Sequence, residues 1–245
     1  MMNAFHDLRR AFTFLTIVPL GKLPERPAGY AFAYFPLVGL AIGGLLLLVH
    51  TLVSSELRAW AVLLAWVVIT GGLHLDGLGD SCDGLFAHTS SELRLSIMKD
   101  PRAGNWAVVG LALALLGKLT ALVHVPSWAI VAAPVWGRWA MVLAALAFPY
   151  GRPGAHSLGA YLRDGLRREH GIAATAFAFL GLGLLALGGL IAPLALLGAP
   201  LALLLALLGG RWAAQRLGGG LTGDVYGALC ELTELSMLVM IVWLD

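Results

Sequence analysis

The chain has 245 residues, of which 59% are hydrophobic and only 12% charged, with a formal net charge of +2 and a mean hydropathy of +0.85. Soluble domains run at about 45–50% apolar and about 25% charged, so this composition excludes an ordinary cytosolic enzyme, a disordered chain and a disulfide scaffold. So small a net charge argues against a nucleic-acid partner, and Cys82 and Cys230 lack CxxC spacing.

Arg9-Arg10 precedes a short apolar run, Ala11 to Leu20, that contains Pro19 near its end. No small-x-small cleavage site follows, which predicts an interfacial or re-entrant helix with its arginines among headgroups rather than a signal peptide. A membrane-crossing helix needs about 20 mostly apolar residues. Such runs fall at 31–53, 57–73, 104–124, 127–148, 172–192, 194–210 and 225–244, with Ala192-Pro193 parting the fifth from the sixth. This pattern predicts an all-α, polytopic membrane protein of about seven transmembrane helices, one domain over 1–245. Six is the competing count, because 57–73 and 194–210 are short. Basic residues concentrate in 1–30 and in every second connection: Arg94, Lys99 and Arg102 in 74–103, Arg152, Arg163, Arg167 and Arg168 in 149–171, and Arg211 and Arg216 in 211–224. Positive-inside bias then puts the N-terminus and these loops in the cytoplasm and the C-terminus in the periplasm. The three loops become the expected active-site face.

Ionisable groups in a bilayer are costly, so those present need a reason. Asp76, Asp80 and Asp83, in Leu73-His74-Leu75-Asp76-Gly77-Leu78-Gly79-Asp80-Ser81-Cys82-Asp83-Gly84, share one helical face within about 60°. Like charges so placed repel unless a cation neutralises them, and Mg²⁺ suits one or two carboxylates plus substrate phosphates. A second cluster runs Gly219-Gly220-Leu221-Thr222-Gly223-Asp224, then Glu231 and Glu234. Asp224 and Glu231 lie on nearly one face, and Glu231 sits about 10 Å deeper along the last span. A carboxylate that deep must pair with a cationic side chain such as Lys118 or Arg138, bind a metal, or stay protonated. The two clusters align without a gap: Gly71-Gly72-Leu73-x-x-Asp76-x-x-Gly79-x-x-Cys82-Asp83 against Gly219-Gly220-Leu221-x-x-Asp224-x-x-Gly227-x-x-Cys230-Glu231. Repeats in membrane proteins often build one site at their interface, so the two acidic helix ends are expected to converge around one or two Mg²⁺ ions.

Lys99 and Arg102, in Ile97-Met98-Lys99-Asp100-Pro101-Arg102, are suited to phosphate oxygens, or equally to anionic headgroups. His74 is a candidate acid or base, or a histidine in a structural hydrogen bond. With no Walker-type loop, metal-bridged diphosphate chemistry fits best: cations neutralise the diphosphate while a carboxylate takes a proton from an attacking hydroxyl. A secondary transporter using Lys118, Arg138 and Glu234 as an ion pathway is the main rival. A phosphotransferase acting on lipid head groups is another.

At these residues the sequence resembles the cobalamin synthase family, the adenosylcobinamide-GDP ribazoletransferases. The resemblance runs over nearly the whole chain. It begins at Phe35-Pro36-Leu37-Val38-Gly39 and continues through Thr70-Gly71-Gly72-Leu73-His74-Leu75-Asp76-Gly77-Leu78, Asp80, Cys82-Asp83-Gly84, Ile97-Met98-Lys99-Asp100 and Arg102-x-Gly104. Gly117-Lys118, Arg138 and Tyr150-x-Arg152 follow, then Thr222-Gly223-Asp224-x-x-Gly227-Ala228 and Glu231-x-x-Glu234. Thr16-Ile17-Val18-Pro19 departs from the family pattern by lacking an arginine. The resemblance implies a Mg²⁺-dependent transferase of the bacterial inner membrane. It would join adenosylcobinamide-GDP to α-ribazole or its 5′-phosphate, with loss of GMP. By the same resemblance Asp76, Asp80, Asp83 and Asp224 bind metal with Glu231 in support, and Lys99, Arg102 and Arg152 hold substrate. Asp83, with His74, is the expected acid–base group. The lipid bilayer is the other expected partner, and an oligomer is compatible with all of this.

Overall fold

The computed structural model describes residues 2–22, 25, 27–54, 56–151, 161 and 163–244. Helix α1 (Met2–Leu15) comes first, with Ala11 and Leu15 buried against the bundle. The Arg9 guanidinium donates to the Leu20 carbonyl, folding the following segment back along the helix. A 3₁₀ turn, Ala28–Tyr34, leads into α2 (Phe35–Leu52), whose Pro36 sits in the first turn where its missing N–H costs nothing. Next come α3 (Arg58–Thr70), α4 (Leu73–Phe86), α5 (Ser91–Ile97), α6 (Asn105–His124), α7 (Ser127–Ala147) and α8 (Arg168–Leu187). Helix α9 (Pro193–Arg216) passes from a 3₁₀ start through an α segment and a π turn at Leu205–Gly209 to a last α segment. Helix α10 (Gly223–Leu244) closes the bundle.

Six of these segments are long and apolar enough to cross a membrane: the 3₁₀ turn with α2, then α6, α7, α8, α9 and α10. The protein is an all-α polytopic membrane protein. Its axis is α7, buried along nearly all its length. Gly39 and Gly43, one turn apart on α2, let the backbones of α2 and α7 meet: a methyl at Gly39 would stand 2.6 Å from the Pro134 carbonyl oxygen, and one at Gly43 the same distance from that of Val131. This is the small-x-x-x-small packing of membrane helices, where close backbone approach substitutes for a hydrophobic driving force.

The run 57–73 does not cross alone. Helix α3 has 13 residues, fewer than a bilayer needs, and the chain turns by 86° into α4. Gly71 (φ 60°) and Gly72 (φ 68°) are both left-handed, a conformation that glycine adopts without a Cβ clash. The stretch 74–103, expected as a connection, therefore carries α4 and α5. The bent pair brings the count of candidate spans to seven if it is taken as one, and the acids lie on its second limb.

Candidate active site

Helix α4 is held at both ends. Beyond the glycine bend, Gly77 packs on the start of α10: a methyl there would lie 2.7 Å from the Asp224 carbonyl oxygen and 3.0 Å from its Cα. Gly227 answers from α10, where an added Cβ would lie 3.2 Å from the His74 Cα. The two acidic motifs thus meet backbone to backbone, as their internal likeness predicts. At the other end, Arg94 donates to the Leu85 carbonyl at 2.6 Å and the Gly84 carbonyl at 3.2 Å. Arg216 donates to Leu85 at 2.8 Å. These two guanidinium groups satisfy terminal carbonyls that the helix leaves open and complement its negative end.

A cleft of about 320 Å³ opens along α4. Asp76, Gly79 and Asp80 form one wall, Ala107 and Leu111 of α6 another, and Met98–Ala103 the rim. Lys99 and Arg102 therefore line the same space as Asp76 and Asp80, a neighbourhood that their spacing in sequence left open. Sequence reasoning gave Asp100 no role, yet it fixes the rim. Arg102 donates through Nε and Nη2 to its two carboxylate oxygens at 2.9 and 2.7 Å, and the Arg102 backbone N–H adds a bond of 3.0 Å. These bonds hold the Asp100 carboxyl down at about 2. On α10, Thr222 Oγ1 donates to Asp224 Oδ2 at 3.2 Å, ordering that carboxylate at the Gly77 contact.

Three expected site residues are placed otherwise. Glu231 is not part of the acidic cleft: Lys118 Nζ lies 2.7 Å from its Oε2. Lys118 also reaches Glu234, which in turn binds Arg138. All four side chains are at most 5% exposed, and two cations balance two anions. Lys118 stands 4.4 Å above the Trp66 ring as well, a cation–π contact strengthened by burial. The ion pair supplies the partner that a carboxylate at that depth requires. His74 joins the same network rather than the cleft: it is 1% exposed, with Nδ1 3.3 Å from Arg138 Nη2. Because a guanidinium only donates, Nδ1 accepts and the ring proton sits on Nε2, which finds no partner among the described residues. Asp83 does not line the cleft either. Its Oδ2 accepts the Gly104 N–H at 2.6 Å and its Oδ1 the Ala107 N–H at 2.9 Å. Arg152 lies outside the described residues; the Gly151 N–H donates to the Leu221 carbonyl at 2.8 Å.

Among the described residues, no group of three or more His, Cys, Asp or Glu side chains is placed to hold a metal ion. Two carboxylates one turn apart on a cleft wall, with a third ordered on the helix packed against them, still suit Mg²⁺. That ion keeps several waters and completes its octahedron with substrate phosphates rather than an all-protein cage. The residues present fit the ion as a shared ligand of protein and substrate.

An all-helical membrane bundle thus carries an acid-walled, base-rimmed cleft beside the bend between α3 and α4, while Lys118, Arg138 and Glu234 are tied to one another in buried ion pairs. Residues 7–242 match the family model described as cobalamin-5-phosphate synthase, and the chain belongs to that family. Among its relatives, the adenosylcobinamide-GDP ribazoletransferase of Roseiflexus sp. (strain RS-1) is 41% identical over 96% of this chain and 88% of its own length. That of Stutzerimonas stutzeri (strain A1501) is 43% identical over 94% of each chain. That of Deinococcus radiodurans is 39% identical over 98% of this chain and 86% of its own length. No solved structure matches.

Proposed function

We propose that this chain joins adenosylcobinamide-GDP to α-ribazole or its 5′-phosphate, releasing GMP, on the cytoplasmic side of the inner membrane. The observation that carries the reading is the meeting of the two acidic motifs at Gly77 and Asp224 beside a cleft rimmed by Lys99 and Arg102. Relatives bearing the name of this transferase match it over nearly their whole length.

In this reaction a ribose hydroxyl oxygen bonds to the cobinamide-side phosphorus, the bond from that phosphorus to the bridging oxygen breaks, and GMP leaves with that oxygen. Asp76 and Asp80 would hold Mg²⁺, with Asp224 beside them, and the ion supplies neutralisation of the diphosphate and of the leaving phosphate. Lys99 and Arg102 bind non-bridging oxygens from the opposite rim, Arg102 through the Nη hydrogens on the edge turned away from Asp100. The hydroxyl proton goes to a carboxylate of this acidic set. Asp100, held at about 2 by Arg102, is too weak a base to take it. Apolar Leu111 and Ala107 close the far wall, limiting water at the reacting phosphorus. The clustering of Arg94, Lys99, Arg102 and Arg216 around this end of α4 supports a cytoplasmic site.

Detergent-purified protein given GDP-cobinamide, α-ribazole and Mg²⁺ should release GMP and form the joined corrinoid. Asp80→Ala and Asp224→Ala should lose most turnover at limiting Mg²⁺ while remaining in the membrane fraction. Wild-type turnover in both variants, or consumption of a CDP-linked lipid with GDP-cobinamide ignored, would refute the reading.

A further inference from the structure

The N-terminus of α6 lacks a cap of its own. Its N-cap residue is Gly104, which has no side chain to offer, so the first N–H groups of the helix have no local acceptor. In a capping box, the N-cap side chain takes the third-residue N–H and the third residue reaches back to the N-cap N–H. Here one carboxylate from α4 serves both halves. Asp83 Oδ2 accepts from Gly104 at 2.6 Å and Oδ1 from Ala107 at 2.9 Å, across 21 and 24 residues of chain. A methyl at Gly104 would stand 2.7 Å from Asp83 Oδ1 and 2.9 Å from Cγ and Oδ2. An alanine there would displace the carboxylate that lies over it.

The loop between these two anchors is the rim of the cleft. Met98 to Ala103 runs from the end of α5, whose Arg94 grips α4, to Gly104. Asp83 closes that loop onto the helix that also carries Asp80 and Asp76, about one and two turns back.

Resting on the proposed transferase reading, we infer that Asp83 is a positioning residue: a latch that ties the Lys99–Arg102 rim to the acidic wall, so that phosphate-binding bases and metal-binding acids stay in register. Both its oxygens are engaged by backbone N–H groups, and it acts on substrate only through Lys99 and Arg102. A residue of this kind contributes equally to ground-state and transition-state binding. Its loss raises KM, whereas loss of a base lowers kcat.

The test uses full-length protein in detergent and three variants, Asp83→Asn, Gly104→Ala and Asp80→Asn. GMP release is followed against the GDP-linked substrate and against Mg²⁺. Asp83→Asn and Gly104→Ala should each raise KM for the GDP-linked substrate by about tenfold, with kcat falling by less than about threefold and the Mg²⁺ midpoint moving by less than about twofold. Gly104→Ala is the decisive variant, because it leaves the carboxylate in place and only pushes it off the helix. A displaced Mg²⁺ midpoint in Asp83→Asn, a loss confined to kcat, or wild-type kinetics in Gly104→Ala would overturn the latch. If Asp83→Asn does not fold, hydrogen exchange decides: the Ala107 amide should exchange at least about tenfold faster in Gly104→Ala than in wild type, and unchanged exchange overturns the proposal. An unmoved Mg²⁺ midpoint in Asp80→Asn would instead refute the acidic-cleft reading, while the Gly104→Ala result still judges the latch.

Discussion

Gly77 and Asp224 lie backbone to backbone, with room for a hydrogen atom and not for a methyl between them. Gly77→Ala should therefore push α4 from α10 and part the two acidic motifs. We expect turnover to fall by at least about tenfold, a loss of about 1.4 kcal/mol of transition-state stabilisation, with the protein still inserted. Gly183→Ala, on a surface of α8 with open space around it, should behave as wild type. Initial rates and membrane-fraction yield for the pair provide the measurement.

The buried set of Lys118, Glu231, Glu234 and Arg138 is balanced in charge, so removing one member should hurt more than removing a matched pair. Lys118→Met leaves Glu231 without a cation and should destabilise the protein by about 3–5 kcal/mol. Lys118→Met with Glu231→Gln should recover part of that loss. Thermal unfolding in detergent reads the coupling, and strictly additive effects would show that the network does not act as a unit.

Two arginines share the Leu85 carbonyl, Arg94 from α5 and Arg216 from α9. Either can cover for the other, so Arg216→Gln alone should cost about 1 kcal/mol. Arg94→Gln adds the loss of the Gly84 contact. The double variant should cost more than the sum, because only then does the Leu85 carbonyl lose both donors; a chemical-denaturation double-mutant cycle tests this.

The Asp100–Arg102 clamp sets a pH expectation for the cleft rim. Asp100 is depressed from 3.8 to about 2, chiefly by the Arg102 hydrogen bonds. A depressed carboxyl contributes above its unfolded value and loses that contribution as pH falls through the folded one. The clamp should therefore be fully formed from about pH 4 upward and open only near pH 2. In Arg102→Gln the Asp100 carboxyl should titrate in the usual carboxylate range. The ¹³C shift of the Asp100 side-chain carboxyl, followed against pH, reports both.

Residue identity and spacing carried much of this site. Apolar runs located the long spans, the shared face of Asp76 and Asp80 set the cleft wall, and the gapless likeness of the two glycine-acid motifs foretold their meeting. Glu231 was ambiguous in sequence because depth alone demands a partner without naming it; only the fold brings Lys118 within 2.7 Å. The hydrogen bonds of Asp83 are hidden in the sequence for a different reason. Its partners are backbone N–H groups at Gly104 and Ala107, and a backbone donor has no letter in the sequence. The nearest signal was the absence of a capping side chain at Gly104. Likewise the run 57–73 reads as a span because hydropathy records composition, whereas the turn rests on the dihedral angles of Gly71 and Gly72.

Those two left-handed glycines decide where three negative charges end up. Without the corner, α3 and α4 would run on as one straight helix, apolar along its first limb and acidic along its second. The elbow of 86° instead turns the acidic limb onto a new course, on which Gly77 meets the backbone of Asp224 and one short corner brings two distant stretches of chain together.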